Sequence, residues 1–321
     1  MHRHIRGVNV AVCGGAGFLG SHLVDYLVEE RGCNVIVLDN LITGKTKFIN
    51  SKAKFVWCDI THSEFELIKI FKEHKIDYVF QYAAEPYIPV SFQRPAHVFD
   101  INARGALLVM NAAQEAGVHG ILQVSSAEIY GNVDGKITEE HQAVPHSTYG
   151  ASKLAIDMLV QCRWKEAKTP AIAMRQFNCL GERETHPYVV PEIISQIAAQ
   201  DDKDVVVKLG NNSFRDFQYA GDAVRMAVEL LEKGQFGEVY NMGSEDGVQI
   251  YELAELIGQI MDKNVRVQED INKKRPWEIW HLQSDNTKLY SVIDYRPQYD
   301  LANALTKTIV YFKNNHYQWD F

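Results

Sequence analysis

Several features that would direct a chain to a membrane or to nucleic acid are missing from this sequence. No uncharged run reaches the roughly 18 apolar residues that a membrane span requires. The opening stretch, MHRHIRGVNVAVCGG, has charges but no apolar segment ahead of its first strand-like run, so we expect no secretory signal. The net charge of −8 argues against a broadly basic surface for long polyanions. We therefore predict neither a membrane nor a nucleic-acid partner.

Cysteine is scarce and follows no pattern. The five cysteines are odd in number, and no two of them form a CxxC pair. This argues against a disulfide framework and against a zinc site, and it predicts reduced thiols in strands or in the core. We therefore expect a cytoplasmic location and no metal centre.

What the sequence does contain is an alternation of short β-rich runs with helical stretches. From position 8 to about 175 the runs VNVAVC, NVIVLD, DYVFQYA, ILQVSS and AIAMR are separated by helical patterns near 18–30, 64–74, 96–116 and 149–165. Short apolar strands separated by helices indicate a parallel sheet covered on both faces. The predicted fold class is α/β, a Rossmann-type doubly wound parallel sheet.

The spacing becomes less regular after position 175, which predicts a second, smaller lobe. We assign residues 1–175 to an NAD-binding unit and 176–321 mainly to a substrate-binding lobe. EVYNMG still reads as a strand of the main sheet, so we expect the segment from about 215 to 243 to return to the first unit.

A glycine-rich turn follows the first strand-like run, in VNVAVCGGAGFLGSHLVDYL. Glycine is needed where the backbone turns sharply and lets a pyrophosphate reach a helix N-terminus, whose free N–H groups favour an anion. The surrounding strand and helix give the motif its weight. The predicted pyrophosphate-binding residues are Gly14, Gly17, Phe18, Leu19 and Gly20.

Carboxylates end the next two strand-like runs. Asp39 stands 19 residues after Gly20, close to the spacing at which a carboxylate holds the adenosine ribose, and Asn40 follows it. An acid at this point repels a 2′-phosphate, so NAD is favoured over NADP. Asp59 and Ile60 end the following run, where they are expected to meet the adenine.

The segment YGASK indicates hydride-transfer chemistry. Tyr149 and Lys153 are four residues apart on a predicted helix and share a face. An ammonium beside a phenol lowers the pKa of the phenol, which makes Tyr149 a candidate base for an alcohol proton. Ser126 lies 23 residues earlier, at the end of another predicted strand.

Taken together, these motifs resemble those of the extended short-chain dehydrogenase/reductase family, the NAD-dependent nucleotide-sugar epimerases and dehydratases. The resemblance runs over nearly the whole chain. The motifs that carry it are GGAGFLGSH, DN, AAEPYIPVS, NARGALLVMNAA, SSAEIYG, YGASK, RQFNCLG, FRDFQYAGDA and RPWE. It implies a tightly bound NAD, contacted also by Ala83, Ala84, Asn102, Tyr149 and Lys153, and a nucleoside-diphosphate sugar in the second lobe.

The same resemblance assigns roles on the sugar side. Ser126 matches the hydroxyl that binds the sugar 4-hydroxyl, with Tyr149 as base and Lys153 as its electrostatic partner. The positions expected to contact the sugar or its diphosphate are Tyr87, Asn178, Arg215 and Arg275. Two guanidiniums and an amide suit a pyrophosphate. The family usually has Arg-x-Gly-Asp where this chain has Arg-Pro-Trp-Glu, and a solvated basic run remains the alternative for Arg275.

Glu128 bears on the choice of reaction. A 4-ketone acidifies the C5 proton, so a carboxylate there favours removal of that proton and loss of the C6 hydroxyl, as in 4,6-dehydratases. On spacing alone, the sequence favours a solvated strand-end acid for Glu128, and the catalytic reading depends on the other motifs. Family dehydratases resemble Thr-Asp-Glu, and this chain has Ser126, Ala127 and Glu128, so the base is present and the usual acid is missing. Tyr87 is one conceivable substitute acid.

We therefore predict a 4,6-dehydratase of a nucleotide-activated hexose, with a UDP-sugar such as UDP-GlcNAc or UDP-glucose favoured. A 4-epimerase and a UDP-glucuronate-type decarboxylase are the enzymatic alternatives, and an NAD-binding sensor is the non-enzymatic one. The helices near 96–116 and 149–165 match those that pair in family dimers, so we expect a homodimer, although apolar faces there are also explained by packing on the sheet.

Overall fold

The computed structural model describes residues 3–185 and 187–317. The strands, in chain order, are β1 Asn9–Cys13, β2 Asn34–Asp39, β3 Lys54–Trp57, β4 Tyr78–Gln81, β5 Gly120–Ser126, β6 Ala171–Gln176, β7 Asn178–Leu180, β8 Asp204–Leu209, β9 Phe214–Tyr219, β10 Val239–Met242, β11 Gly247–Gln249, β12 Asn264–Glu269 and β13 His281–Leu282.

Helices connect most of these strands. In chain order they are α1 Phe18–Glu29, α2 Glu64–Glu73, α3 Ile88–Gln93, α4 Pro95–Phe99, α5 Gly105–Glu115, α6 Thr148–Ala167, α7 Val189–Ala198, α8 Ala220–Lys233, α9 Ile250–Ile260, α10 Thr287–Tyr290 and α11 Leu301–Asn314.

Seven of the strands form one parallel sheet in the order β10-β6-β5-β4-β1-β2-β3. Strands such as Ala171–Gln176 are buried at every residue because helices cover both faces. One apolar cluster lies on each face of this sheet. The strand order reverses direction between β1 and β4, and ligands of open α/β sheets bind at the carboxyl ends of the strands at such a switch point. The predicted Rossmann-type fold is confirmed.

The long helix predicted near 96–116 is interrupted. The structure has α4, then a π-helical turn at Asp100–Arg104, then α5. A π-turn inserts an extra residue into a helix and is frequent at functional sites. It contains Asn102, one of the residues predicted to contact the cofactor.

The smaller lobe is built from two separate groups of strands. β9 pairs with β11, β13 and β7, while β12 and β8 form a two-stranded parallel pair. Helices α7, α9 and α11 pack with these strands around a third apolar cluster. The chain leaves the large sheet between Gln176 and Asn178, close to the predicted boundary.

The segment predicted to return at 215–243 returns later than expected. Its first part, Phe214–Tyr219, pairs within the smaller lobe, whereas α8 packs on the large sheet and β10 extends its edge. Strand period alone does not say which sheet a strand joins, since β9 and β10 lie in different sheets and are both almost wholly buried.

The thiols of all five cysteines are free. The prediction of core or strand positions fails for Cys162, which is exposed on α6. Within the part of the chain that the structure describes, none of the helices combines the length and apolar character that a membrane crossing needs.

Candidate active site

The glycine-rich turn lies between β1 and α1, and two of its glycines leave no room for a side chain. Gly14 has φ +76°, and a Cβ on it would lie 2.7 Å from the Ala83 backbone nitrogen. A Cβ on Gly20 would lie 2.0 Å from the Gly14 carbonyl oxygen. The backbone of the turn therefore packs directly against α1 and the end of β4, leaving the N-terminus of α1 open to an anion. This cradle fits a dinucleotide pyrophosphate, with Phe18 and Leu19 partly buried beside it.

Two glycines of this turn give a matched test. Gly20→Ala is expected to destabilise the fold by about 1–3 kcal/mol even without cofactor, because the new methyl overlaps a backbone carbonyl. Gly17→Ala adds a methyl 3.3 Å from the Gly14 oxygen, which needs only a small shift, so we expect near-normal stability with weakened NAD binding. Urea unfolding and NAD titration separate the two effects. Equal stability of the two variants would contradict the predicted packing.

Asp39 ends β2 beside the turn. Its carboxylate accepts hydrogen bonds from the backbone N–H groups of Ala16 at 3.0 Å and Leu41 at 2.8 Å. Burial raises the pKa of Asp39. The carboxylate thus connects the turn to the end of the strand. Binding of the adenosine ribose would use the carboxylate lone pairs that these two N–H groups leave free, and it stays a prediction.

The residues that follow β2 and β3 contact one another beside the turn. Asn40 donates to the Asp59 carboxylate at 3.1 Å, and Ile60 is buried next to them. The side chains of these residues lie together at the carboxyl edge of the sheet, and their contact with adenine stays a prediction.

Asn102 holds parts of the site together. Its amide nitrogen donates to the Glu85 carbonyl at 3.2 Å and to the Ser152 hydroxyl at 3.1 Å, while its carbonyl accepts from the Glu85 N–H at 2.8 Å. The Ser152 hydroxyl donates to the Tyr149 carbonyl at 2.7 Å. Asn102 therefore links the loop that begins with Ala83 and Ala84 to the helix carrying Tyr149. This scaffold role accounts for its burial, and cofactor contact by Asn102 stays a prediction.

Ser126, Glu128 and Tyr149 meet where β5 ends and α6 begins. The Ser126 hydroxyl accepts from the Glu128 N–H at 3.2 Å and so starts a short 3-10 turn over Ala127–Ile129. A Cβ on Gly150 would lie 2.8 Å from the Glu128 carbonyl oxygen, so glycine lets the turn and the helix approach closely.

The pKa of Tyr149 differs from the prediction. Burial raises it, and a hydrogen bond with the Ser126 hydroxyl acts in the opposite direction. The Lys153 ammonium lies 5.8 Å from the Tyr149 ring centroid and donates to the Val124 carbonyl at 2.9 Å. Burial lowers the pKa of Lys153 to about 8. The expected lowering of the Tyr149 pKa by Lys153 is thus wrong for this structure, because the ammonium points at the strand and burial dominates.

A buried ion pair lies one helical turn beyond Lys153. Asp157 accepts from Arg175 of β6 at 2.8 Å, and Arg175 also donates to the Tyr130 hydroxyl at 2.6 Å. Ser125 donates to the Lys153 carbonyl at 3.1 Å. These bonds fix α6, and hence Tyr149 and Lys153, to the end of the sheet.

Arg175→Met is expected to lower the free energy of unfolding by about 3–5 kcal/mol, because it leaves the Asp157 carboxylate buried without its cation. Denaturant melts of this variant measure the loss. As a control, the exposed pair of Arg104 and Asp100 should yield no more than about 1 kcal/mol when Arg104 is replaced by Met. A similar small loss for Arg175→Met would show that the pair does not anchor α6.

On the sugar side, Glu128 lies in a small pocket. Burial raises the pKa of its carboxyl, while the positive charges of Arg215 and Arg275 act in the opposite direction. The same carboxylate raises the pKa of Tyr149, so base and phenol are electrostatically coupled. The pocket is lined by Ile88, Phe92, Glu128, His146, Ser147, Arg275, Trp277, Glu278 and Ile279.

The two predicted arginines occupy different environments. Arg215 is buried and donates to the Glu278 carboxylate at 2.9 Å, and Asn211 donates to the other oxygen of Glu278 at 2.6 Å. Arg275 is exposed and interacts electrostatically with Glu128 and with the Tyr87 phenol.

Glu278, the last residue of the Arg-Pro-Trp-Glu segment, is thus held in place by Arg215 and Asn211. Asn178 lies partly exposed at the start of β7, and Tyr87 faces the ring of Tyr188 at 6.0 Å. Diphosphate or sugar contact by these residues stays a prediction.

Among the nine described residues that line the pocket, only Glu128 and Arg275 were predicted from the sequence as site residues. Glu278 and Trp277 stand within the quoted RPWE segment, and the departure from the family pattern was the available signal. His146 lies three residues before Tyr149, in a stretch that carries no motif of its own.

Comparison with known proteins agrees with this geometry. The model of the NAD dependent epimerase/dehydratase family matches residues 10–243. A dTDP-D-glucose 4,6-dehydratase of Mus musculus is 30% identical over 328 residues, covering 97% of this chain and 90% of the relative.

Solved structures show the same likeness. The UDP-glucose 4-epimerase of Thermotoga maritima, determined with UDP-glucose, is 30% identical with a TM-score of 0.87, covering 96% of this chain and 99% of that one. The UDP-glucose 4-epimerase of Thermus thermophilus, determined with NAD, is 26% identical with a TM-score of 0.85, covering 95% and 99%. The relatives are enzymes, which sets aside the alternative of a non-catalytic sensor. The chain belongs to the NAD dependent epimerase/dehydratase family and is an NAD-dependent nucleotide-sugar dehydratase or epimerase.

Proposed function

We propose that the protein is a 4,6-dehydratase that converts a nucleoside-diphosphate hexose to its 4-keto-6-deoxy product. A UDP-sugar such as UDP-glucose or UDP-GlcNAc is the favoured substrate. The observation that carries the proposal is the position of Glu128. Its carboxylate lies in a shielded pocket, close enough to Tyr149 to influence the pKa of the phenol. A base beside the C4 chemistry is what proton removal from C5 requires.

Each residue of the site has its own role in the proposed reaction. NAD in this site would supply the hydride acceptor for C4 and the hydride donor for C6. The glycine turn and Asp39 would hold this cofactor, and Tyr149 would take the proton of the C4 hydroxyl while Ser126 orients that hydroxyl. Lys153, which donates to the Val124 carbonyl, would contact the cofactor. Glu128 would remove the C5 proton, exchange it with solvent and later return a solvent-derived proton to the same carbon.

A 4-epimerase is the second candidate, and a specific observation favours it. Ala127 stands where family dehydratases carry the acid that protonates the departing C6 hydroxyl. An epimerase needs no such acid, because hydride returns to C4 after the keto sugar rotates. A UDP-glucuronate-type decarboxylase is the third candidate, for which Arg275 beside Glu128 would bind the C6 carboxylate.

Reaction in deuterium oxide distinguishes these candidates. A dehydratase is expected to place one solvent deuterium on C5 of its product, because the C5 proton passes through Glu128. The epimerase route leaves C5 untouched, so its product carries no deuterium. UDP-glucuronate would lose carbon dioxide only on the decarboxylase route. The substrate panel contains UDP-glucose, UDP-GlcNAc, UDP-glucuronate and dTDP-glucose, the last because the mouse relative is named for that sugar.

We further propose a homodimer that forms through α4 and α6. These helices pack on each other and expose the apolar side chains of Phe99 and Met158, which are 45% and 51% exposed. Light scattering is expected to give twice the monomer mass, and Phe99→Asp with Met158→Lys should give the monomer. An unaltered mass for that double variant would place the interface elsewhere. The five free thiols support the proposed cytoplasmic location.

A further inference from the structure

We propose that His146 is the general acid that protonates the departing C6 hydroxyl, the task for which this chain has Ala127 instead of an aspartate. The inference deepens the proposed dehydration and rests on it. It assigns a further catalytic residue to the pocket that contains Glu128.

The first support is position. His146 and Glu128 line the same pocket, and they lie close enough for a charge on the imidazole to stabilise the Glu128 carboxylate. The two side chains approach from different elements, one from the turn after β5 and one from the loop before α6. Syn elimination of water needs an acid and a base on the same side of the C5–C6 bond, and a shared pocket supplies that arrangement.

The second support is how the ring is held. Gly131 has φ +70°, and a Cβ there would lie 2.5 Å from the Val144 carbonyl oxygen and 3.1 Å from His146 Nε2 and Cε1, so glycine leaves room for the loop that carries His146 and for its ring. On another side the ring contacts Trp277, with centroids 5.3 Å apart. The Trp277 loop is fixed in turn by Asn132, which donates to the Glu278 carbonyl at 3.3 Å and accepts from the Trp280 N–H at 2.6 Å.

The third support is a nitrogen with no structural task. His146 Nδ1 is shielded from solvent and has no hydrogen-bond partner among residues 3–185 and 187–317. Buried polar atoms are nearly always bonded, so an exception calls for an explanation such as a catalytic role. His141 Nδ1 and His22 Nε2 are engaged, since the first accepts from the Thr138 N–H at 3.0 Å and the second bonds the Glu182 carbonyl at 2.7 Å. His281 Nε2 is also buried without a partner among the described residues, but its ring stacks on Phe214 and does not line this pocket.

The other polar groups of the pocket are unsuited to the task. Arginine is not a proton-transfer acid in proteins, which excludes Arg275 from this task. Glu278 is committed to Arg215 and Asn211, and the Ser147 hydroxyl accepts from the Gly150 N–H at 3.0 Å to cap α6. Tyr87, the substitute acid considered from the sequence, is not among the described residues that line this pocket.

The proposed step balances. Glu128 takes the C5 proton, and the electrons of that C–H bond form the C5–C6 double bond. The C6–O bond breaks, and the departing oxygen takes a proton from the His146 imidazolium, so water leaves. Tyr149 has gained the proton of the C4 hydroxyl and later releases this proton to solvent. His146 then takes up one proton from solvent, so the two transfers balance.

The test compares His146→Gln with the unaltered enzyme on whichever sugar that enzyme dehydrates. His146→Gln keeps a polar side chain but has no transferable proton, so dehydration should fall by about 10²–10⁴-fold, the usual contribution of acid–base catalysis. Oxidation at C4 and proton removal at C5 should persist. Substrate recovered from deuterium oxide should therefore carry deuterium at C5, and the absorbance of reduced nicotinamide should accumulate. His141→Gln, in the same loop, is the control and should behave like the unaltered enzyme.

Two results would overturn the assignment. One is dehydration by His146→Gln within a few-fold of the unaltered rate. The other is a loss of deuterium exchange at C5 as large as the loss of dehydration, which would indicate a structural role for His146. A second variant, His146→Asn, and thermal melts of both variants test whether misfolding causes the loss. Failure of the unaltered enzyme to dehydrate any nucleotide sugar is a separate outcome that refutes the proposed function itself.

Discussion

A Tyr149→Phe enzyme is expected to turn over its nucleotide sugar about 10²–10⁴-fold more slowly than the unaltered protein, with kcat carrying most of the loss. The substitution deletes only the hydroxyl that takes the C4 proton. The ring stays buried against α6 and β5, so stability and NAD affinity should change little. Steady-state kinetics with a saturating sugar measure the loss of kcat, and a thermal melt measures the stability.

Tyr26→Phe is the matched control for that experiment. It removes a phenol hydroxyl from α1, whose ring contacts Arg225 well away from the sugar pocket. Full activity of Tyr26→Phe beside a disabled Tyr149→Phe assigns the loss to the proton transfer. Unimpaired turnover by Tyr149→Phe would remove this residue from the chemistry.

Glu128→Gln is expected to lower dehydration by about 10²–10⁴-fold while leaving oxidation at C4 intact. The amide fills the same space and has no basicity for the C5 proton. The substrate recovered from deuterium oxide should therefore stay free of deuterium at C5, even as reduced nicotinamide forms. This pattern is the reverse of the one expected for His146→Gln, so the two variants separate base from acid.

Glu140→Gln is the control for the base, since Glu140 is an exposed acid in the loop between β5 and α6. Normal dehydration is expected from it. If Glu128→Gln also dehydrated at the normal rate, the carboxylate would be a structural acid at the strand end, and the case for C5 chemistry would lose its main support.

The first unit of the fold was predictable because its signals are local. The hydrophobic periodicity, the glycine turn at Gly14–Gly20 and the acid at Asp39 each depend on a stretch shorter than thirty residues. The structure brings the turn and the acid to one edge of the sheet. The separation of Tyr149 and Lys153 by one helical turn is likewise a local property.

The pairings that stabilise the site are not local, and this is why the sequence did not reveal them. Arg215 and Glu278 are 63 positions apart, and Tyr130 and Asn241, joined at 2.6 Å, are 111 apart. The charge and hydrogen-bonding capacity of each side chain follow from the sequence, but which groups meet depends on how the second lobe folds over the first.

The electrostatic prediction for Tyr149 failed for a related reason. Helical spacing places Lys153 beside the phenol, yet burial and the bond to the Val124 carbonyl decide what the ammonium does. Spacing predicts which residues are neighbours, whereas a pKa depends on the whole surrounding volume.

The reaction proposed for this enzyme is the removal of water from its sugar. The most direct measurement is the mass of the product after purified protein with NAD is incubated separately with UDP-glucose, UDP-GlcNAc and dTDP-glucose. We predict a product lighter than its substrate by one water, with a single solvent deuterium at C5 when the reaction runs in deuterium oxide. A product of unchanged mass and inverted configuration at C4 would contradict the claim and identify the protein as an epimerase.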